Sequence, residues 1–192
     1  MGRESSPKAA IDGAHITPAT VDTREVSNTM IFESEFQSAQ AAINVAQANN
    51  IGYVFLQPRI INENLTVSEP LALIGQGMRN NKETLLSPES TSSITLSGRN
   101  CRILNCSYNS GDPAIRVEAG DCLVQNLNQR GADGNGIEVA GDRVIIHSIF
   151  RQGGANGDHI FFESGTTGGI VDQCTNTGNI NDNGSNTIGT VS

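Results

Sequence analysis

Tryptophan is absent, and aromatic residues make up only 4% of the chain. A globule organised on large ring-to-ring packing is therefore disfavoured. Lysine is nearly missing too: Lys8 and Lys82 are the only two among twelve basic residues. The net charge is −8, and so acidic a surface argues against nucleic acid as a partner, because phosphate binding needs basic groups. No window approaches the ~20 apolar residues of a membrane span, so no membrane insertion is expected. No basic start followed by a long apolar run is present near the N-terminus, so no signal peptide is expected. The four cysteines, Cys101, Cys106, Cys122 and Cys174, form no C-x-x-C pair, which argues against zinc.

Glycine is plentiful instead, with 21 residues, and it punctuates a repeat. The lines are SITLSGRNCRILNCS from Ser93, AIRVEAGDCLVQNLN from Ala114, GIEVAGDRVIIHSIF from Gly136 and HIFFESGTTGGIVDQCT from His159. Each opens on Ile with alternating residues, breaks at Gly, resumes an apolar alternation and ends in a polar run. The opening residues Ile94, Ile115, Ile137 and Ile160 are spaced by 21, 22 and 23 residues. A near-constant step of this size signals a solenoid. Stacking places those isoleucines in one column and Ile103, Val124, Ile146 and Val171 in another, with parallel strands ~4.8 Å apart. Cys101 and Cys122 fall at matching points of successive repeats, and Cys106 and Cys174 occupy similar later points, so all four read as stacked core thiols. Gly98, Gly120 and Gly141 are expected at bends that need positive φ.

The flanks differ from the repeat. Residues 1–30 are polar and broken by Pro7, Gly13 and Pro18, with a sparse rhythm of Ile11, Ile16 and Val21. They read as an extended arm that docks on a partner. Residues 31–192 form the compact part. A helix is expected over 34–48, with Ser34 as N-cap and Gln37 completing a capping box. Phe36, Ala39, Ile43 and Ala46 share its apolar face. Clear coils span 93–177, and 178–192 are irregular, with Ile188 opening one last strand. No hydrophobic helix follows, so the final coil is expected to leave strand edges open.

The opening pattern FQSAQAAINVAQANNIGYVFLQP, with the later strand ending in IGQG, resembles the start of pectate-lyase-like right-handed parallel β-helix proteins. The likeness covers roughly residues 31–177. It implies an all-β, single-stranded right-handed solenoid whose first coil is capped by the α-helix. A short member without an enzyme signature is similar to β-helices of viral tail fibres, spikes or capsid turrets, which commonly trimerise. A virion surface location, self-association as a trimer, contact with a second virion component through residues 1–30 and contact with a host glycan are what that likeness implies; a cellular extracellular location is the alternative. The acidic, lysine-poor composition also resembles proteins of salt-loving organisms, where high ionic strength screens self-repulsion.

Candidate chemistry lies in the polar turns. Asp112, Asp133, Asp158 and His159 fall just before successive opening isoleucines, and register puts them along one rim. Gathered there, carboxylates suit glycoside hydrolysis or a calcium site that assists proton abstraction from a sugar. The alternative is that Asp, Asn and Gly occupy turns for backbone reasons. Arg130 and Arg151 end two successive polar runs, where stacked guanidinium groups suit a carboxylated glycan. The carbohydrate-active reading, a polysaccharide lyase or glycoside hydrolase, thus stands beside the structural one. No cofactor other than calcium is suggested.

Overall fold

Three-residue alternations decide the architecture. In Ile94–Leu96, Ile115–Val117 and Ile137–Val139 the outer two residues are buried and the middle one is not. Each such strand covers too little apolar surface to stand alone, so it stacks on the next. The result is an all-β parallel solenoid of about six turns. The computed structural model describes residues 30–77, 83–88, 93–132, 134–151, 157–175 and 179–189. The proposed arm, Met30 excepted, and Asp133 lie outside the described residues.

One sheet stacks Ile31–Phe32, Tyr53–Phe55, Ala72–Ile74, Arg102–Leu104, Leu123–Gln129, Ile145–Arg151, Thr167–Asp172 and Ser185–Ile188. A short row, Ile60–Ile61, Leu85–Leu86 and Ser107–Tyr108, joins it through Leu123–Gln129. The second sheet stacks Thr66–Val67, Ile94–Leu96, Ile115–Val117, Ile137–Val139, Ile160–Phe162 and Ile180–Asp182. All pairs between these strands are parallel. The two expected columns form as read. Ile94, Ile115, Ile137 and Ile160 stand in register and are buried, and Ile180 continues the row. The other column runs from Ile31 through Val54, Leu73, Ile103, Val124, Ile146 and Val171 to Ile188.

The cysteines belong to these columns. Ladder register sets Leu71, Cys101, Cys122 and Val144 in one line, and Cys106, Leu127, Ile149 and Cys174 in another. All four thiols are free and buried. Burial pushes the Cys106 thiol up to about 12. The hydrogen bond between Cys122 and Cys101, then burial, raises Cys101 well above its ordinary value. They pack as small apolar residues, with Sγ of Cys122 3.4 Å from the Gly98 carbonyl.

Two expectations require correction. The bends do not place positive φ on Gly98, Gly120 and Gly141. They place it on Asn100, Asp121 and Arg143, at 59°, 61° and 54°, which stack in register. A second bend stacks Asn105, Asn126, Ser148 and Gln173 at 58°, 54°, 56° and 52°. Asn tolerates this conformation better than most residues, and Asn126 Nδ2 donates to Asn105 Oδ1 at 3.2 Å. The three glycines serve close packing instead: a Cβ on any of them would overlap backbone of an adjacent coil.

The helix also starts late. Glu33–Glu35 form a 3-10 turn, and the α-helix spans Ala39–Ala48. Ser38, not Ser34, is the N-cap, its Oγ accepting from the Ala41 amide at 3.1 Å. The reason is tertiary. The Glu63 carboxylate accepts from the amides of Ala39 and Gln40, each at 3.1 Å, which fixes the first turn there. The buried Glu33, ion-paired with Arg59, anchors the 3-10 turn ahead of the helix. The helix buries Ala39, Ala42, Ile43, Val45 and Ala46, and it packs on the first strands of both sheets.

Candidate functional site

The rim of the solenoid precedes each strand of the second sheet. Ladder register puts Pro113, Asn135 and Asp158 in one line there. Asp112 lies across Gly134, where any side chain would collide with its carboxylate. From there Asp112 Oδ1 accepts from the Asn135 amide at 3.2 Å. Asn135 repeats the arrangement one coil on: it lies over Gly157, and its Oδ1 accepts from the Asp158 amide at 2.9 Å. Asp158 Oδ2 in turn accepts from Asn181 Nδ2 at 3.0 Å. Asp112 and Asp158 are thus brought onto one rim, as register suggests, and each is engaged with the chain itself.

His159 leaves the rim. Next to Asp158 in sequence, it falls in the inward line with Ala114 and Gly136 and is 3% exposed. Its Nδ1–H donates to Gln129 Oε1 at 2.5 Å. Gly136 leaves room for this group: a Cβ there would stand 3.0 Å from Gln129 Nε2 and 3.3 Å from Tyr108 Oη. Among the described residues, neither Gln129 Nε2 nor Tyr108 Oη has a hydrogen-bond partner. Arg130 is held in an ion pair with the buried Glu83, whose other oxygen accepts from Ser107 Oγ at 2.5 Å. Arg151 ends the strand Ile145–Arg151 in register with Gln129, one residue out of step with Arg130.

The outer face of the second sheet carries a charge cluster that the turn-by-turn reading missed. Arg116 ion-pairs with Glu138 on the next strand, with Glu163 at 2.8 Å and with Glu118 at 3.2 Å. Partial burial pulls its guanidinium down, but these carboxylates together hold it above its ordinary value. Glu138 Oε2 also accepts from Asn135 Nδ2 at 3.1 Å, which joins this cluster to the rim. Arg116 and Glu138 are the middle residues of two successive Ile-x-Val triads, and that shared position was the available signal. Among the described residues, no group of three or more His, Cys, Asp or Glu side chains could hold a metal ion.

A third polar line follows the left-handed bend. Asp121 accepts from Arg99 Nη2 at 2.5 Å and from Arg143 Nε at 2.6 Å, one coil before and one after. Arg143 foremost, then Arg99, holds the Asp121 carboxyl well below the usual carboxylate range. A carboxyl depressed on folding stabilises the fold above its unfolded pKa of ~3.9, and that contribution is lost as pH falls through the lower folded value. Asp121→Asn should therefore flatten the decline in stability below about pH 4. Urea midpoints at pH 3 and pH 7 check this. An unchanged difference between the two pH values would remove Asp121 from the acid response.

No known family, curated protein or solved structure matches the chain.

Proposed function

We propose that the chain is a non-catalytic structural module that assembles with copies of itself. One observation carries this reading: the described carboxylates that register gathers on the rim and the adjoining face are engaged by the chain itself. Asp112 bonds to the Asn135 amide, Asp158 to the Asn181 side chain, and Glu138 and Glu163 to Arg116. A general acid or base needs a carboxyl free to exchange a proton with substrate. The strand Ser185–Ile188 supports the same reading: it is largely exposed, and Ile188, 41% exposed, offers apolar surface that association would cover.

In this reading the solenoid is right-handed and the helix Ala39–Ala48 caps its first coil. Residues 1–30 dock on a second component, and the virion surface is the setting, with host glycans as the outer contact. These points rest on the family likeness and on fold-level analogy. A second reading, a polysaccharide lyase or glycoside hydrolase using calcium or paired carboxylates, is favoured by one feature: the carboxylates of Asp112 and Glu138 both accept from Asn135, which also receives the Asp158 amide. Light scattering at low and high salt and turnover of polyuronates with and without calcium separate the two. An oligomer without turnover is expected. Turnover that disappears in Asp158→Asn would replace the structural reading with the enzymatic one, and a monomer in both salts would remove assembly.

A further inference from the structure

The outward side of the first sheet has a composition unlike the rest of this acidic chain. Its outward residues form two lines. One runs through Tyr53, Ala72, Arg102, Leu123, Ile145 and Ile170, in register. The other holds Leu104, Gln125, His147 and Asp172 on the later strands. Tyr53, Ile145 and Ile170 are 52%, 41% and 42% exposed. Among the described residues of these two lines, the rungs Arg102–Leu104 to Thr167–Asp172 carry one arginine and one aspartate, whereas the second sheet groups three glutamates around Arg116. Two copies of a chain of net charge −8 approach most easily where acid is scarce.

The order of residues makes this face complementary to itself. Take Arg102–Leu104, Leu123–Gln129, Ile145–Arg151 and Thr167–Asp172 as four successive rungs. A two-fold axis along the strand direction, between the second and third rungs, exchanges first with fourth and second with third. Leu123 then meets Ile145 of the second copy, apolar on apolar. Gln125 meets His147, an amide against an imidazole whose Nδ1 is already bonded to Ser148 Oγ at 2.8 Å. Arg102 meets Ile170 and has Asp172 as its diagonal neighbour, within reach of a long guanidinium side chain. Each contact occurs twice, as an isologous interface requires.

We propose that this outward face is a self-association surface on which two copies pair about a two-fold axis, solenoid axes opposed. The proposal deepens the assembly reading above and rests on it. Sedimentation of the full chain should show a dimer or an even-numbered oligomer. Ile145→Asp should shift it to the smaller species while its circular dichroism stays that of the parent. Arg102→Asp and Asp172→Arg should each weaken association, on the order of tenfold, and the double variant should recover most of that loss. A trimer, or an oligomer insensitive to Ile145→Asp, overturns this face while leaving assembly standing. A monomer at all concentrations overturns both. Failure of the double variant to recover overturns the two-fold pairing.

Discussion

Gly141→Ala is expected to destabilise the protein by about 1–3 kcal/mol, while Gly52→Ala leaves stability unchanged or raises it by about 0.4–1 kcal/mol. Composition alone would treat the two glycines alike. The difference lies in what faces their Cα atoms. A Cβ on Gly141 would overlap the carbonyl of Ala119 in the previous coil and stand 2.9 Å from the Gly120 amide nitrogen. Those are backbone atoms, held by ladder bonds that include Gly141 N–H to Val117 O at 3.2 Å, so they cannot turn aside as a flexible side chain would. Around Gly52 no atom lies within 4 Å of the added carbon. Neither residue has left-handed φ, so the contrast is steric and not conformational. For a domain of this size the loss corresponds to a fall in melting temperature of roughly 3–10 °C. Thermal unfolding of both variants checks it, and equal melting temperatures would show that close coil approach is not what these glycines provide.

That result bears on what the sequence made visible. The periodic part of the fold was legible, because a stacked coil repeats its inward residues at a fixed step. Ile94, Ile115, Ile137 and Ile160 announced their column, and so did the cysteines at matching positions. Glycine at the bends was legible in place but not in purpose. The repeat marks a tight spot, but tightness arises from positive φ or from a neighbouring backbone, and sequence does not separate them. The left-handed positions fell one or two residues later, on Asn100, Asp121 and Arg143. Asn100 and Asp121 carry a local preference for the conformation, whereas Arg143 carries none that would advertise it.

The helix start shows a second limit. Ser34 and Gln37 satisfy the local pattern, yet Glu63 from the following coil fixes the first turn at Ala39. A cap supplied from 24 residues away leaves no mark beside the helix. The site behaved similarly. Asp112 and Asp158 come onto one rim because each lies just before an opening isoleucine, three residues ahead of Ile115 and two ahead of Ile160. His159, one residue on, has the opposite facing, since side chains alternate along an extended segment. Arg116 and Glu138 lie at the outward middle of their strands and Glu163 just past the end of its own, where no turn pattern marks them. Asp133 lies outside the described residues, so the rim is described without it.

The column itself sets the other large expectation. Ile137→Ala should cost about 2–5 kcal/mol, and more than Ile180→Ala or Ile188→Ala. Ile137 is fully buried, with Ile115 on one side and Ile160 on the other. Shortening it removes apolar surface from the core and leaves a cavity. Neighbouring rungs cannot close that cavity, because ladder bonds such as Ile115 N–H to Gly136 O at 3.0 Å and Ile137 N–H to His159 O at 2.9 Å fix their separation. Ile180 is only partly buried and Ile188 is 41% exposed, so truncation there forfeits less and leaves no enclosed void. A solenoid holds together through nearest-neighbour contacts, and a weakened central rung therefore separates the coils on either side. Urea unfolding of Ile137→Ala should show both a lower midpoint and a shallower transition, the mark of halves that no longer unfold together. Equal losses for Ile137→Ala and Ile180→Ala would mean that stability is not concentrated in the central stack, and that the last coil is covered as completely as the middle one.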